Sequence, residues 1–249
     1  MKDPKLVAKA ALFLAAVAGF ALTSSASVTS DTNLQQSVQS KLKNKEFQQV
    51  VVAANNGIVT LTGTVGNYQA KISAEKKARK IANVKEVDDE IQVGGKEIPD
   101  AVLQSKLDRK LAYDRWGYGH VYNHVVATVD DGKVTLDGEV RWQPDKDSAV
   151  ALVNFEPGVK DVVDRIKVLP TSISDDELRA REFRVLYGDS SLSRYGSDPQ
   201  APIRIVVNHG HVALYGTVQS EADKNIAGIR ANGVMGAFSV ENHLVVNKG

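Results

Sequence analysis

Five basic side chains in one short segment could bind an anionic surface. They are Lys71, Lys76, Lys77, Arg79 and Lys80. The segment 68–82 has helical composition, and Glu75 is the one acidic residue among them. Ala74 and Ala78 fall where the helix would face a sheet, so the charges gather on the opposite face. Each basic residue near an acidic lipid surface contributes about 1 kcal/mol of binding free energy. The pattern predicts a lipid-binding helix face, and a solvated face that serves only solubility is the alternative.

Two other segments combine aromatic residues with arginine. The candidate binding residues are Arg115, Trp116, Tyr118 and Tyr122 in the first segment, and Arg194 and Tyr195 in the second. Both segments lengthen a connection that is shorter between Leu42 and Gly57. Tryptophan and tyrosine bring a large apolar area with a polar end, which suits a lip that binds a lipid interface or an extended peptide. The alternative is that Trp116 and Tyr122 cover the core or a neighbouring module.

Patterns typical of catalysis or metal binding are absent from the sequence. His209 and His211 flank a turn glycine, and no thiol or suitably spaced carboxylate completes a set of metal ligands around them. No P-loop or Gly-x-Ser-x-Gly motif occurs, and the stretch 117–119 lacks the rest of a dinucleotide-binding fingerprint. We therefore expect a protein that is not an enzyme and holds no cofactor or metal ion.

The composition is that of an ordinary folded protein with little net charge. The 249 residues include 31 basic and 30 acidic side chains, 43% hydrophobic residues and no cysteine. Nucleic-acid capture by a strong basic stripe is therefore not expected. Without cysteine there is neither a disulfide nor a site for lipid attachment to a thiol.

The N-terminal segment 1–26 has the features of a secretory signal peptide. Three lysines precede an apolar run at 10–22, and small polar residues follow, with cleavage expected near Ala26. The run is short for a membrane span, which needs about 20 residues. The segment predicts export to the periplasm without lipid attachment, and an uncleaved anchor is the alternative.

The remainder contains three copies of one pattern. Self-comparison aligns the stretches 57–93, 132–168 and 210–246 without insertion or deletion. Each begins with a glycine, after which alternate positions are Val, Leu, Gly and Val, and this period of two residues predicts a strand. Another alternating segment precedes each first glycine, so the pair predicts a β-hairpin closed by an Asn-, Asp- or His-containing turn.

The glycine inside each second strand indicates a bulge or a close backbone approach, which we expect from the following helix. These glycines are Gly63, Gly138 and Gly216.

Helices are predicted on either side of each hairpin. Leu34, Val38 and Leu42 have the i, i+4, i+8 spacing of one helix face, and a third strand closes each copy. The fold class is therefore α+β, with tandem αββαβ modules in which two helices pack on a small three-stranded sheet. At about 70 residues apiece such modules are marginally stable alone, so we expect them to pack on one another. The predicted modules are 30–97, 98–170 and 171–249.

The repeated pattern resembles the BON domain, named for bacterial osmotically inducible and nodulation proteins. All three copies carry its Gly-x-Val-x-Leu-x-Gly-x-Val hairpin, and 158–162 adds its Gly-Val-x-x-Val motif. The resemblance is closest at 216–222, while 83–84 and 236–237 depart from the Gly-Val part. It implies an αββαβ fold, a periplasmic or outer-membrane-associated setting and roles in osmotic or envelope stress. It also implies, for some members, binding of anionic phospholipid or assistance to exported proteins, and no catalysis.

Two functions remain open on this reading. One is a periplasmic stress protein that binds anionic membrane surfaces or other envelope components. The other is a periplasmic chaperone or adaptor that binds exported polypeptides at aromatic loops or exposed strand edges.

Overall fold

The structure is a computed structural model that describes residues 25–95, 97–113, 120–197 and 203–247. Within these ranges the chain forms six α-helices and small mixed β-sheets. The elements follow one another as three αββαβ modules, so the α+β fold predicted from the repeat is confirmed. The predicted signal segment lies outside the described residues except for its last two positions.

Each of the first two modules has its second strand at the centre of the sheet, with an antiparallel neighbour on one side and a parallel one on the other. The parallel neighbour is divided into two short strands. The first module contains α1 (Ser25–Lys41), β1 (Val50–Asn55), β2 (Ile58–Val65), α2 (Tyr68–Arg79), β3 (Glu86–Asp89) and β4 (Gln92–Val93). The second contains α3 (Asp100–Tyr113), β5 (His124–Asp130), β6 (Lys133–Val140), α4 (Gln143–Asn154), β7 (Asp161–Asp164) and β8 (Lys167–Val168).

The third module has the same topology, and its central strand is also interrupted, at Gly216. Its elements are α5 (Ile173–Tyr187), β9 (Arg204–Asn208), β10 (His211–Tyr215), β11 (Thr217–Val218), α6 (Glu221–Asn232), β12 (Ser239–Asn242) and β13 (Val245–Val246).

An aspartate from the first helix of each module holds the hairpin turn. The turn residues Asn56, Asp131 and His209 have positive φ, and they lie between the last paired residues of the two strands, so the ladder does not bond their N–H groups. Each aspartate accepts hydrogen bonds from the N–H of that residue and of the following glycine, at 2.7 to 3.2 Å. We call these residues the clamp aspartates: Asp31, Asp100 and Asp175.

Gly63 and Gly138 lie against the backbone at the start of the first hairpin strand, so the expectation of a helix at these two contacts is wrong. A Cβ atom built on Gly63 would overlap the carbonyl oxygen of Gln49, and one on Gly138 would overlap that of His124. Both glycines have positive φ, +104° and +127°. The approaching backbone belongs to the start of the first hairpin strand, and the one-to-one pairing of the two strands runs through both glycines.

The inner face of each first helix supplies much of the module core. In each module the residues three, seven and eleven positions after the clamp aspartate lie on this face. They are Leu34, Val38 and Leu42, then Leu103, Leu107 and Leu111, then Leu178, Glu182 and Leu186. All but Leu111 are buried, and Glu182 is the one acidic residue in the set.

The first and second modules pack together through their second helices. The Tyr68 hydroxyl donates to Asp161 Oδ1 at 3.0 Å, and its ring packs against the core of the second module. The Asn154 amide donates to Gln69 Oε1 at 3.4 Å. Contacts between modules, expected from their small size, are thus present here.

The second and third modules are joined by aromatic rings. Tyr122 lies in the core of the third module, and its ring meets Phe183 edge-on at 6.4 Å. The His124 ring stacks on Tyr215 at 3.9 Å, and Tyr215 stacks on His243 at 5.0 Å. Burial, together with the nearby positive charge of Arg204, lowers the pKa of His124 to about 4. A neutral His124 ring at ordinary pH is compatible with this close stack.

Candidate binding surfaces

Two of the five predicted lipid-binding residues are engaged in holding the first module together. The first is Lys71, whose ammonium donates to the Ile91 carbonyl at 2.7 Å. Lys146, at the corresponding position of the second module, donates to the Ile166 carbonyl at the same distance. Because the second module lacks the basic cluster but has the same hydrogen bond, this bond belongs to the fold of the module and not to a ligand site. Lys71 therefore fixes the segment between β3 and β4 to α2, and this bond restrains the position of its ammonium group.

The second is Lys77, which is half-buried at the junction of α2 with the short 3-10 helix Lys45–Phe47. Its ammonium lies 4.4 Å from the centre of the Phe47 ring and 3.6 Å from Glu46. The cation–π contact with Phe47 and the ion pair with Glu46 both hold the Lys77 ammonium group within the module. Lys77 therefore contributes less to an anion-binding surface than its sequence position predicts.

The other three predicted residues are exposed. Arg79 forms an i, i+4 ion pair with Glu75 at 2.7 Å, whereas no ion pair joins Lys76 or Lys80 to another described residue. Exposed pairs of this kind are worth about 0.5 kcal/mol, so Arg79 can exchange Glu75 for another anion at small cost. Lys76 and Lys80 are the strongest candidates on this helix.

The fold adds three lysines to this cluster that the sequence analysis missed. Lys41, Lys43 and Lys45 are exposed at the end of α1 and in the short helix that follows. The contacts of Lys77 with Glu46 and Phe47 bring this segment against α2. The run Lys-Leu-Lys-Asn-Lys at 41–45 is a visible sequence signal, but its proximity to α2 depends on tertiary packing. We define the basic face as Lys41, Lys43, Lys45, Lys76, Arg79 and Lys80.

The predicted aromatic lip of the second module is described only at its end. Arg115, Trp116 and Tyr118 lie outside the described residues. Tyr122 is 2% exposed and lies in the core of the third module. The alternative interpretation, that it covers a neighbouring module, is therefore correct for this residue. The prediction that its ring forms part of an exposed lip is wrong, because a neighbouring module packs over it.

The aromatic residue of the corresponding third-module segment is also buried. The Tyr195 hydroxyl donates to Asp223 Oδ2 at 2.7 Å and accepts the N–H of Gln219 at 2.7 Å. Arg194 pairs with the same carboxylate at 2.5 Å while half its side chain stays exposed. These contacts hold the segment against the start of α6. Tyr195 is therefore part of the core, and Arg194 is the one of the two predicted residues that a ligand could reach.

The described residues contain no cluster of three or more His, Cys, Asp or Glu side chains suited to a metal ion. In the same part of the chain, no helix has both the length and the apolar character needed to cross a membrane.

Comparison with known proteins agrees with the repeat. The model of the BON domain matches residues 30–95, 99–170 and 189–248. An uncharacterised protein in the gshII 5' region of Anaplasma centrale is 27% identical over 126 residues, which span 49% of this chain and 83% of that protein.

Two solved structures of CdsD, a structural protein of the type III secretion system of Chlamydia trachomatis, are also similar. Each is 15% identical, with a TM-score of 0.23. The match with the C-terminal domain of CdsD covers 90% of this chain and 99% of the other. The second match covers 86% and 92%.

Proposed function

Because this chain belongs to the BON domain family, we propose that it is a non-enzymatic envelope protein whose first module binds anionic membrane surfaces. The proposal includes export to the periplasm behind the signal segment 1–26 and a role in osmotic or envelope stress. Among proteins that carry this domain, the arrangement resembles the osmotically inducible periplasmic protein Y, which has two modules. Other envelope components with acidic groups would suit the same surface.

The basic face is the observation that carries the proposal. Its six residues are exposed, they come from two segments that pack together, and Glu46 and Glu75 are the acidic residues found within those segments. The two glutamates are already paired with Lys77 and Arg79. A surface of this kind attracts acidic headgroups at low salt and releases them as salt screens the charges.

Charge reversal at Lys76 and Lys80 tests the proposal. The double variant Lys76→Glu/Lys80→Glu should weaken association with phosphatidylglycerol vesicles by at least about 30-fold, because roughly 1 kcal/mol is lost for each basic residue removed and the new carboxylates are repelled. Vesicle flotation at low salt measures the retained fraction, which should also fall for the natural chain as salt is added.

The matched control reverses two exposed basic residues of the second module. The variant Arg165→Glu/Lys167→Glu changes the net charge by the same amount away from the basic face, and should keep most of the binding. Equal loss in both variants would mean that net charge, and not the basic face, governs retention. Absence of retention for the natural chain at low salt would refute lipid binding altogether.

A polypeptide-binding role is the second candidate, supported by the outer edge of the first sheet, where Gln35 of α1 occupies one carbonyl, that of Val52, at 2.8 Å. β1 is an edge strand in the order β1-β2-β3, and Val51 on it is 62% exposed. An extended polypeptide could add to such an edge as a further strand. Crosslinking from position 51 in intact cell envelopes should capture exported proteins on this hypothesis, and lipid-only retention without protein adducts would argue against it.

A further inference from the structure

The loop between α6 and β12 exposes two large apolar side chains. Met235 is 86% exposed and Phe238 is 78% exposed. Ile229, in the last turn of α6, is exposed as well. We call Met235 and Phe238 the apolar tip.

The backbone of the tip is held in place, so its side chains are presented by a fixed scaffold. The Arg181 Nε donates to the Met235 carbonyl at 3.1 Å, and the Phe238 N–H donates to the Gly210 carbonyl at 2.8 Å. Gly236 between them has a φ of +100°. The exposure of the two side chains is therefore a consequence of a defined loop conformation.

The corresponding position in the other modules is occupied by lysine. The N–H groups of Lys85 and Lys160 donate to the carbonyls of Gly57 and Gly132, as that of Phe238 does to Gly210. Both lysine stems lie against the turn glycine. The Lys85 ammonium donates to the Asn56 carbonyl at 3.0 Å, and the Lys160 ammonium pairs with Asp131 at 2.8 Å. Phe238 keeps the backbone hydrogen bond. In place of the lysine ammonium group, which is bonded to the turn, it has an apolar ring.

The segment that carries the tip is basic, and the acidic residues near it are already engaged in hydrogen bonds or ion pairs. No acidic residue occurs between Lys224 and Val240, a stretch that also contains Arg230. The first helix of the module adds Arg181 and Glu177, while its clamp aspartate, Asp175, is buried at the turn, where it bonds the Gly210 N–H. Glu177 pairs with Arg181 at 3.6 Å, and Asp189 pairs with Arg230 at 2.9 Å. Arg181 and Arg230 each keep a third or more of the side chain exposed, so either can exchange its surface ion pair for an acidic headgroup at small cost.

We propose that the apolar tip inserts Met235 and Phe238 into the interface of an acidic lipid bilayer. This inference rests on the proposed membrane-binding function and gives it a second contact, in the third module. Two protruding side chains are few for a stable protein–protein interface, which buries about 1,600 Å² in total. Shallow insertion of a few apolar groups beside basic residues is, in contrast, sufficient for interfacial membrane binding.

A tryptophan probe at the tip tests insertion directly. In the full chain, Phe238→Trp should shift its added emission to shorter wavelength on mixing with phosphatidylglycerol–phosphatidylcholine vesicles. Brominated acyl chains should quench that emission. The unmodified chain, whose own tryptophans are Trp116 and Trp142, supplies the background to be subtracted. The matched control is Lys160→Trp, which puts the same probe at the corresponding position of the second module and should show neither effect.

Loss of the apolar side chains gives a second measurement. Met235→Ser/Phe238→Ser should weaken vesicle binding about tenfold, because the two apolar side chains that would leave water on insertion are replaced by polar ones. Circular dichroism should show an unchanged fold, since both side chains are exposed.

The outcomes separate this inference from the proposed function. Vesicle retention that depends on Lys76 and Lys80, without quenching of the probe in Phe238→Trp, would overturn insertion and leave the basic face intact. No retention of the natural chain would overturn both. An emission shift of Phe238→Trp with a reduced, carboxymethylated unfolded protein but not with vesicles would overturn the lipid assignment in favour of polypeptide binding.

Discussion

Replacing Glu182 by leucine is expected to stabilise the third module by about 3 kcal/mol at pH 7, taking roughly 1.4 kcal/mol per unit of pKa shift. Glu182 is 0% exposed, and neither carboxylate oxygen has a hydrogen-bond partner among the described residues. Val38 and Leu107 hold the corresponding core positions of the other modules. Leucine is close to glutamate in volume and removes the buried polar group, so the core should accept it.

The same position makes stability depend on pH. Burial raises the pKa of Glu182 from 4.5 to about 8, against a smaller opposite effect of Arg181. Below pH 4.5 the carboxyl is protonated in both the folded and the unfolded state and costs no ionisation energy. Between pH 4.5 and about 8 the unfolded chain ionises while the folded one keeps its proton. The free energy of unfolding therefore falls through this window by about 1.4 kcal/mol per pH unit, and the fall ends above about pH 8.

Hydrogen exchange of third-module peptides, followed from about pH 5 to about pH 8.5 with correction for intrinsic exchange rates, measures this effect. The natural chain should lose protection as the pH rises, and Glu182→Leu should remove that dependence. Glu182→Gln should also flatten the pH profile but stabilise less, because it leaves an amide buried without partners. The reverse change Leu107→Glu should impose a similar pH dependence on the second module. A pH-independent third module in the natural chain would show that Glu182 is ionised or solvated in the folded state.

The repeat pattern predicted most of the fold because its alignment contains no insertion after the turn glycine. Alternating Val and Leu positions predict the central strand, and the structure has it at β2, β6 and β10–β11. The clamp aspartates could not be found in the same way. The segment between each clamp and its turn differs in length among the copies, so no fixed spacing links Asp31 to Gly57 as it links strand residues.

The candidate site was predicted only in part, because the sequence shows local clusters of charge but not the contacts that distant residues make with them. The charges on α2 are local in sequence, so the cluster was visible. Which of them are free depends on contacts with distant residues: Lys71 bonds a third-strand carbonyl, and Lys77 meets Phe47. Tyr122 shows the same limit, because it lies in a segment of the second module but packs in the core of the third. Local patterns do not report packing between modules.

Replacing Gly63 by alanine is expected to destabilise the first module by about 4 kcal/mol and so to unfold it. The added Cβ would overlap the Gln49 carbonyl oxygen, and a φ of +104° is a conformation that side chains with a Cβ rarely adopt. Relief requires separating the two strands at their end, where Thr64 N–H donates to the Gln49 carbonyl at 3.4 Å. A module of this size has too little stability to absorb such a loss.

Gly66→Ala is the matched control, three residues along the same segment. A Cβ at Gly66 would meet no atom within 4 Å, so the free energy of unfolding of this variant should lie within about 0.5 kcal/mol of that of the natural chain. Urea denaturation followed by circular dichroism, with hydrogen exchange to assign the unfolded module, distinguishes the two. Vesicle binding should fall in Gly63→Ala alone, because the basic face requires α1 and α2 to be packed together. If Gly63→Ala and Gly66→Ala have equal stability, the close backbone approach at Gly63 is not a constraint on the module, and the shared glycine must be explained differently.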